Sequence, residues 1–135
     1  MPLARLFDEN ILEAKRLPLE ATRTAPRQIG VDIGHKGLKD EEIIVLLRRQ
    51  RNPTFFTRDA GFYAPELRHR RYCLVVANVG QNEVAAFIRR FLRHPDFDTQ
   101  EKRMGAVARV SHMGIAAWCL NMQAGIGAAW IRPNN

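Results

Sequence analysis

The sequence predicts an α/β domain of three layers, with helices on both faces of a largely parallel central sheet. Two observations carry this. The run "YCLVVANV" at 72–79 is continuously apolar and β-branched, as strands buried on both faces are. Short apolar strands also alternate with amphipathic helices over most of the chain, and right-handed crossovers between parallel strands place such helices on both sides of a sheet. No internal repeat, low-complexity tract or long linker divides the 135 residues, so they are read as a single domain, 1–135, large enough to bury its own core.

In chain order, the first strand covers 4–8 in "ARLFDENIL" and is followed by a helix at about 10–17, stopped by Pro18. A second strand is expected near 28–33 in "QIGVDI", before a turn bracketed by Gly34 and Gly37. The helix at about 40–51 has Asp40, Glu41 and Glu42 in its first turn and Arg48, Arg49 and Arg51 in its last, the polarity that the helix dipole favours. A third strand at 54–58 in "TFFTR" runs into Asp59, and 72–79 is the fourth. In "QNEVAAFIRRFLRHP", Val84, Phe87, Ile88, Phe91 and Leu92 fall on one helical face before Pro95. The tail "GAVARVSHMGIAAWCL" reads as two strands meeting at Gly114, and residues 121–131 fit either a strand or a short helix.

Composition bounds the setting. Lys and Arg number 21 against 14 Asp and Glu, and 17 of the cations are Arg, whose planar fork suits phosphate, so nucleic acid is the leading partner class against a merely basic surface. Cys73 and Cys119 lie in apolar runs without the spacing of a zinc site or a disulfide framework. That suits a reducing cytoplasm. Charged Arg5 and Asp8 stand where a signal peptide needs apolar residues, and Arg109 and His112 interrupt the most apolar stretch, so neither export nor a membrane is expected.

On this scaffold three acidic points converge. Asp8 ends the first strand, Asp40 to Glu42 open a helix, and Asp59 ends the third strand. Strand ends and helix starts share one rim of a parallel sheet, where ligands of open α/β sheets bind. Carboxylates gathered there repel one another unless protons or a cation neutralise them. Mg²⁺ or Mn²⁺, which prefer oxygen ligands and act on phosphodiesters, are the natural guests.

"RLFDENIL", "LKDEEIIVLLRRQ" and "TFFTRDAGF" resemble, in order and spacing, the PIN-like nuclease superfamily, within it the small stand-alone bacterial proteins, over residues 4 to about 94. The resemblance implies a PIN-like domain acting as a Mg²⁺- or Mn²⁺-dependent ribonuclease of toxin–antitoxin type, with an antitoxin protein as a partner and often a homodimer. It makes Asp8 and Asp59 metal ligands and Asp40 the third acid, with Glu42 the alternative if the alignment slips by two residues. Gly61 departs from the pattern, since related sequences commonly carry an acid there. Glu66, Asp96 and Asp98 are nearby acids that no motif brings to the rim.

Each acid has a plainer explanation. Asp8 could cap the helix after it, at about 1 kcal/mol. Asp40 could be an N-cap, and Asp59 with Gly61 an ordinary turn. Two other classes compete with a nuclease. One is a catalytically inactive PIN-like module that binds RNA or protein. The other is a phospho-acceptor receiver domain with Asp59 as acceptor, which would need a lysine after the fifth strand, whereas the chain has none after residue 104.

Three basic runs, "LLRRQR", "ELRHRR" and "FIRRFLR", are either RNA-contacting surface or solvated faces. Arg48, Arg49 and Arg51, with Arg68, Arg70 and Arg71, are the RNA-binding candidates. Phe62 and Tyr72 beside them are expected in the core. His35, His69 and His94 read as structural or surface residues. Ser111 and His112, adjacent near a strand end, do not form a catalytic dyad. The two tryptophans of the tail, Trp118 and Trp130, imply that it completes the core or forms a homodimer contact.

Overall fold

The computed structural model describes residues 39–120 throughout, together with the backbone of three further strands at 5–7, 27–28 and 126–128. The protein is a mixed α/β structure on one sheet. Its strands are β1 (Arg5–Phe7), β2 (Arg27–Gln28), β3 (Thr54–Thr57), β4 (Cys73–Ala77), β5 (Val107–Ser111), β6 (Gly114–Trp118) and β7 (Ile126–Ala128), in spatial order β2-β1-β3-β4-β5-β6-β7. The pairings from β2 to β5 are parallel, whereas β5–β6 and β6–β7 are antiparallel. The sheet is therefore largely parallel with an antiparallel edge.

Side chains of a strand alternate between faces, and the core divides accordingly. Phe55, Leu74, Val76 and Val107 face one way and pack with Ile43 and Leu47 of helix α1 (Asp40–Arg49), as well as with Phe62 and Tyr72. Phe56, Cys73, Val75, Ala77, Ala108 and Val110 face the other way and pack with Val84, Phe87, Ile88 and Phe91 of helix α2 (Val84–Arg93). β4 is buried at every position, which is why it reads as an unbroken apolar run. Burial also explains Cys73, whose thiol is pushed up to about 12 and behaves as a small hydrophobe. Cys119 is a free, half-buried thiol.

Phe91 sits at the centre of the α2 side, stacked on Phe97 at 4.9 Å and edge-on to Phe56 at 6.3 Å. Phe91→Ala is expected to cost about 3–5 kcal/mol through lost burial and the cavity left behind, which denaturant unfolding would measure.

Several boundaries differ from the sequence reading. Of the first strand expected at 4–8, Arg5–Phe7 is described, and α1 ends at Arg49 rather than 51, leaving Arg51 in a loop. That loop turns at Asn52, where φ is +51°, and Gln100 Nε2 holds it by donating to the Asn52 carbonyl at 2.7 Å. Gln100 opens a short helix, α3 (Gln100–Arg103), that the sequence reading lacks. Arg103 is buried there, donating to Thr54 Oγ1 at 3.0 Å and to the Phe97 carbonyl at 2.9 Å, which fixes α3 against the start of β3.

The two strands meeting at Gly114 form a tight hairpin, with Ser111 opposite Gly114. Ile115 and Ala117 are buried, so this part of the tail completes the core. Within 121–131, Ile126–Ala128 is strand. Of the second strand near 28–33, Arg27–Gln28 is described. The helix at 10–17, Asp8, His35 and Trp130 lie outside the described residues.

Candidate active site at the sheet rim

The strand order dictates where a site belongs. From β1 the chain moves outward to β2, then returns across β1 to β3 and continues to β4 and β5 on the other side. The order reverses between β1 and β3, and open parallel sheets bind ligands at such a point, outside the carboxyl ends of the strands. Phe7, the last residue of β1, lies beside Phe56 in β3. The two strands thus finish at the same edge, one continuing into Asp8 and the other into Arg58 and Asp59. α1 begins at this edge, with Asp40 as its first residue.

The end of β3 is tied down locally. The Asp59 N–H donates to Thr57 Oγ1 at 3.0 Å, and Arg58 reaches the Val79 carbonyl beyond β4 at 3.3 Å. Asp59 Oδ1 then accepts the Gly61 N–H at 2.8 Å and caps the 3-10 turn Ala60–Phe62. The turn and the acid therefore occur together, and this capping bond leaves Asp59 Oδ2 for another partner.

Asp40 and Asp59 come together over Gly61. A Cβ built on Gly61 would stand 3.1 Å from Asp59 Oδ1 and 3.9 Å from Asp40 Oδ2. The bare glycine gives the two carboxylates a cradle that a side chain would fill. Desolvation and then repulsion from Asp59, with a smaller contribution from Glu41, raise the Asp40 carboxyl above its ordinary 3.8. Two acids close enough to disturb each other call for a cation or a shared proton.

The structure also distinguishes Asp40 from Glu42. The N-cap of α1 is Lys39, not Asp40, and Glu42 Oε1 accepts the Lys39 N–H at 3.1 Å. Glu42 thus serves the helix end, and Asp40 is the acid beside Asp59. Among the more distant acids, Glu66 lines the same cleft as Asp40, while Asp98 is held by Lys102 at 2.9 Å and Asp96 lies beside His94. Among the described residues no group of three or more His, Cys, Asp or Glu side chains is arranged to hold a metal ion.

A pH dependence follows. The folded-state carboxyl of Asp40 is raised above its unfolded value, so the folded protein binds the extra proton, and ionising Asp40 costs stability as pH rises from about 4 through the raised value. In EDTA, wild-type protein is expected to lose stability relative to Asp40→Asn across that window. Melting curves at pH 4 to 7 check this, and parallel curves would contradict a raised Asp40 carboxyl.

The basic candidates divide. Arg48, Arg49, Arg51 and Arg71 surround one open basin with Gln50 and Asn52. Arg68 is engaged in structure, donating to the carbonyls of Pro65 at 2.7 Å and Cys119 at 2.9 Å. Arg70 lies beside His69, which desolvation and then Arg48, Arg71 and Arg70 hold below its ordinary pKa. His69 stacks on Tyr72 at 5.3 Å, and Tyr72 and Phe62 are buried as expected. His112 stands in the hairpin turn, not on a strand, and pairs with Glu83 at 2.6 Å, while Ser111 Oγ accepts the Met113 N–H at 3.2 Å.

Neither the family models nor the curated proteins nor the solved structures compared with this chain contain a match to it.

Proposed function

We propose that the chain is a three-layer PIN-like domain that hydrolyses phosphodiester bonds of RNA with Mg²⁺ or Mn²⁺. The observation that carries this reading is the approach of Asp40 and Asp59 over Gly61 at the point where the strand order reverses. The metal would be held by Asp40 and Asp59, with Asp8, the residue following β1, as the third carboxylate. When bound, such an ion lowers the pKa of a water and offsets charge on the phosphate. The protein's own part is to present carboxylates from a rigid strand end and a helix start. Capping of the 60–62 turn by Asp59 fixes one of its oxygens, and Glu42 keeps the first turn of α1 closed.

The same reading extends to a protein antitoxin, a homodimer and the cytoplasm. Among the described residues no helix is long and apolar enough to cross a membrane. A catalytically inactive PIN-like module that binds RNA or protein is the second reading, favoured by Gly61 at a position where resembling sequences have an acid. The strand order also suits a receiver domain, but β5 leads directly into an antiparallel hairpin without a lysine.

Incubation of purified protein with single-stranded RNA, in Mn²⁺ and in EDTA, tests the proposal. Cleavage in Mn²⁺ alone, absent from a mock purification, is expected. RNA that is bound but left intact would transfer the reading to the inactive module.

A further inference from the structure

One groove runs the length of α1. It lies between the outward face of the helix and the two 3-10 turns at 60–62 and 65–67, and it encloses about 450 Å³. Its walls are apolar in the middle, with Ile44 and Val45 from the helix and Phe62, Ala64 and Leu67 opposite. One end holds Asp40, Glu41 and Gly61 of the rim site, with Glu66 on the facing turn, and the other ends at Arg48, so the groove grades from acidic to basic along α1. Arg48 is shared with the basin of about 320 Å³ formed with Arg49, Arg51 and Arg71. From Asp40 to Arg48 the helix rises about 12 Å at 1.5 Å per residue, the length of about three to four stacked nucleotide steps at 3.4 Å each.

The basin differs from an ordinary helix end. Arg48 and Arg49 complement the dipole of α1, but Arg51 lies beyond the helix and Arg71 precedes β4, a separate segment of the chain. Among the described residues Arg49, Arg51 and Arg71 have no carboxylate partner. Four arginines of like charge thus line one hollow, Arg48 also hydrogen-bonding the Tyr72 hydroxyl, and such a gathering suits anions spaced along a chain. An apolar wall leading from such a basin to a pair of carboxylates gives unpaired bases an aliphatic surface to lie against, while the arginines take the phosphates.

We propose that this groove is the track of a single RNA strand, with unpaired bases against Ile44, Val45 and Leu67 and the phosphates beyond them in the Arg48, Arg49, Arg51 and Arg71 basin. The assignment rests on the ribonuclease reading for its RNA strand and for the position of the scissile phosphate at the rim. It adds the direction in which the strand leaves the site and the residues that hold it.

The test is fluorescence anisotropy with a labelled hexauridylate in EDTA, where no cleavage occurs, repeated at several salt concentrations. The triple substitution Arg49→Gln, Arg51→Gln, Arg71→Gln is expected to lessen the salt slope by about 2, at about 0.7 per lost contact. Val45→Glu is expected to weaken binding at least about fivefold, through loss of an apolar contact together with repulsion of the phosphates, and the uncharged Val45→Ala to weaken it less. Arg89→Gln with Arg93→Gln on α2 is the control for overall charge and should leave the affinity unchanged. Circular dichroism confirms that each variant is folded.

Failure of wild-type protein to bind, equal weakening by the α2 control, or equal affinity for a duplex of the same length overturns the track. Groove-dependent binding without cleavage in Mn²⁺ upholds the track and overturns the nuclease. Cleavage in Mn²⁺ by a triple variant of wild-type affinity does the reverse.

Discussion

Asp59→Asn is expected to abolish Mn²⁺-dependent cleavage of RNA, by at least about a hundredfold, while leaving the fold as stable as before. The two effects separate because Asp59 serves the structure through one oxygen only. Its Oδ1 accepts the Gly61 N–H at 2.8 Å, and the amide oxygen of asparagine accepts that bond equally well. Desolvation raises Asp40 most and the Asp59 charge next, and the substitution removes the latter, so the metal-free protein is relieved of repulsion. For comparison, removal of an outer partner of a metal ligand costs about 10–100-fold, and a ligand should cost more. Thermal stabilisation by Mn²⁺ should vanish together with activity. Single-turnover cleavage and melting curves, each with and without Mn²⁺, measure both halves. Full activity in the variant would leave Asp59 as a turn cap.

Gly61→Asp is expected to tighten Mn²⁺ binding about tenfold or more and to lower the melting temperature in EDTA. Gly61 is exposed, and a Cβ there would stand 3.1 Å from Asp59 Oδ1 and 3.9 Å from Asp40 Oδ2. A third carboxylate there repels its neighbours without metal and attracts a divalent ion when one is present. At about 4 Å, with an effective dielectric near 20, a pair of unit charges interacts by about 4 kcal/mol. Partial desolvation takes back much of this, yet about 1.4 kcal/mol suffices for tenfold. Gly61→Ala supplies the Cβ without the charge and should not tighten binding. Manganese titration followed by melting temperature distinguishes the variants, and an unchanged Mn²⁺ affinity for Gly61→Asp would contradict a cation site at this cradle.

The sequence reveals those parts of the structure whose burial is periodic. β4 is legible because both of its faces are covered, and α2 because Val84, Phe87, Ile88 and Phe91 all meet the sheet. The rim is legible through topology, since a helix must start where parallel strands finish, and this brings Asp40 to the edge that β3 reaches before Asp59. Asp8 carries the same expectation outside the described residues. The approach of Asp40 to Asp59 has no sequence signal of its own. It depends on the 3-10 turn after β3, and a three-residue turn leaves no period to read. Gly61, two residues after Asp59, is the one local sign of a close approach.

Other features escape for related reasons. Lys39 lacks the side-chain oxygen of a usual N-cap, so Asp40 takes that place on paper, whereas Glu42 reaching back to the Lys39 N–H does the capping. The groove wall is formed by Ala64 and Leu67 around a second 3-10 turn, and nothing in their spacing ties them to Ile44 and Val45. Arg71 and Arg51 come together only because β3 and β4 start side by side at the opposite edge of the sheet.

The most direct measurement is a crystal structure of the protein soaked in Mn²⁺, read by anomalous scattering. One peak is expected between the Asp40 and Asp59 carboxylates, above Gly61, with oxygen ligands from both and from the residue that follows β1. A peak elsewhere, or none at Mn²⁺ concentrations that support cleavage, would contradict it.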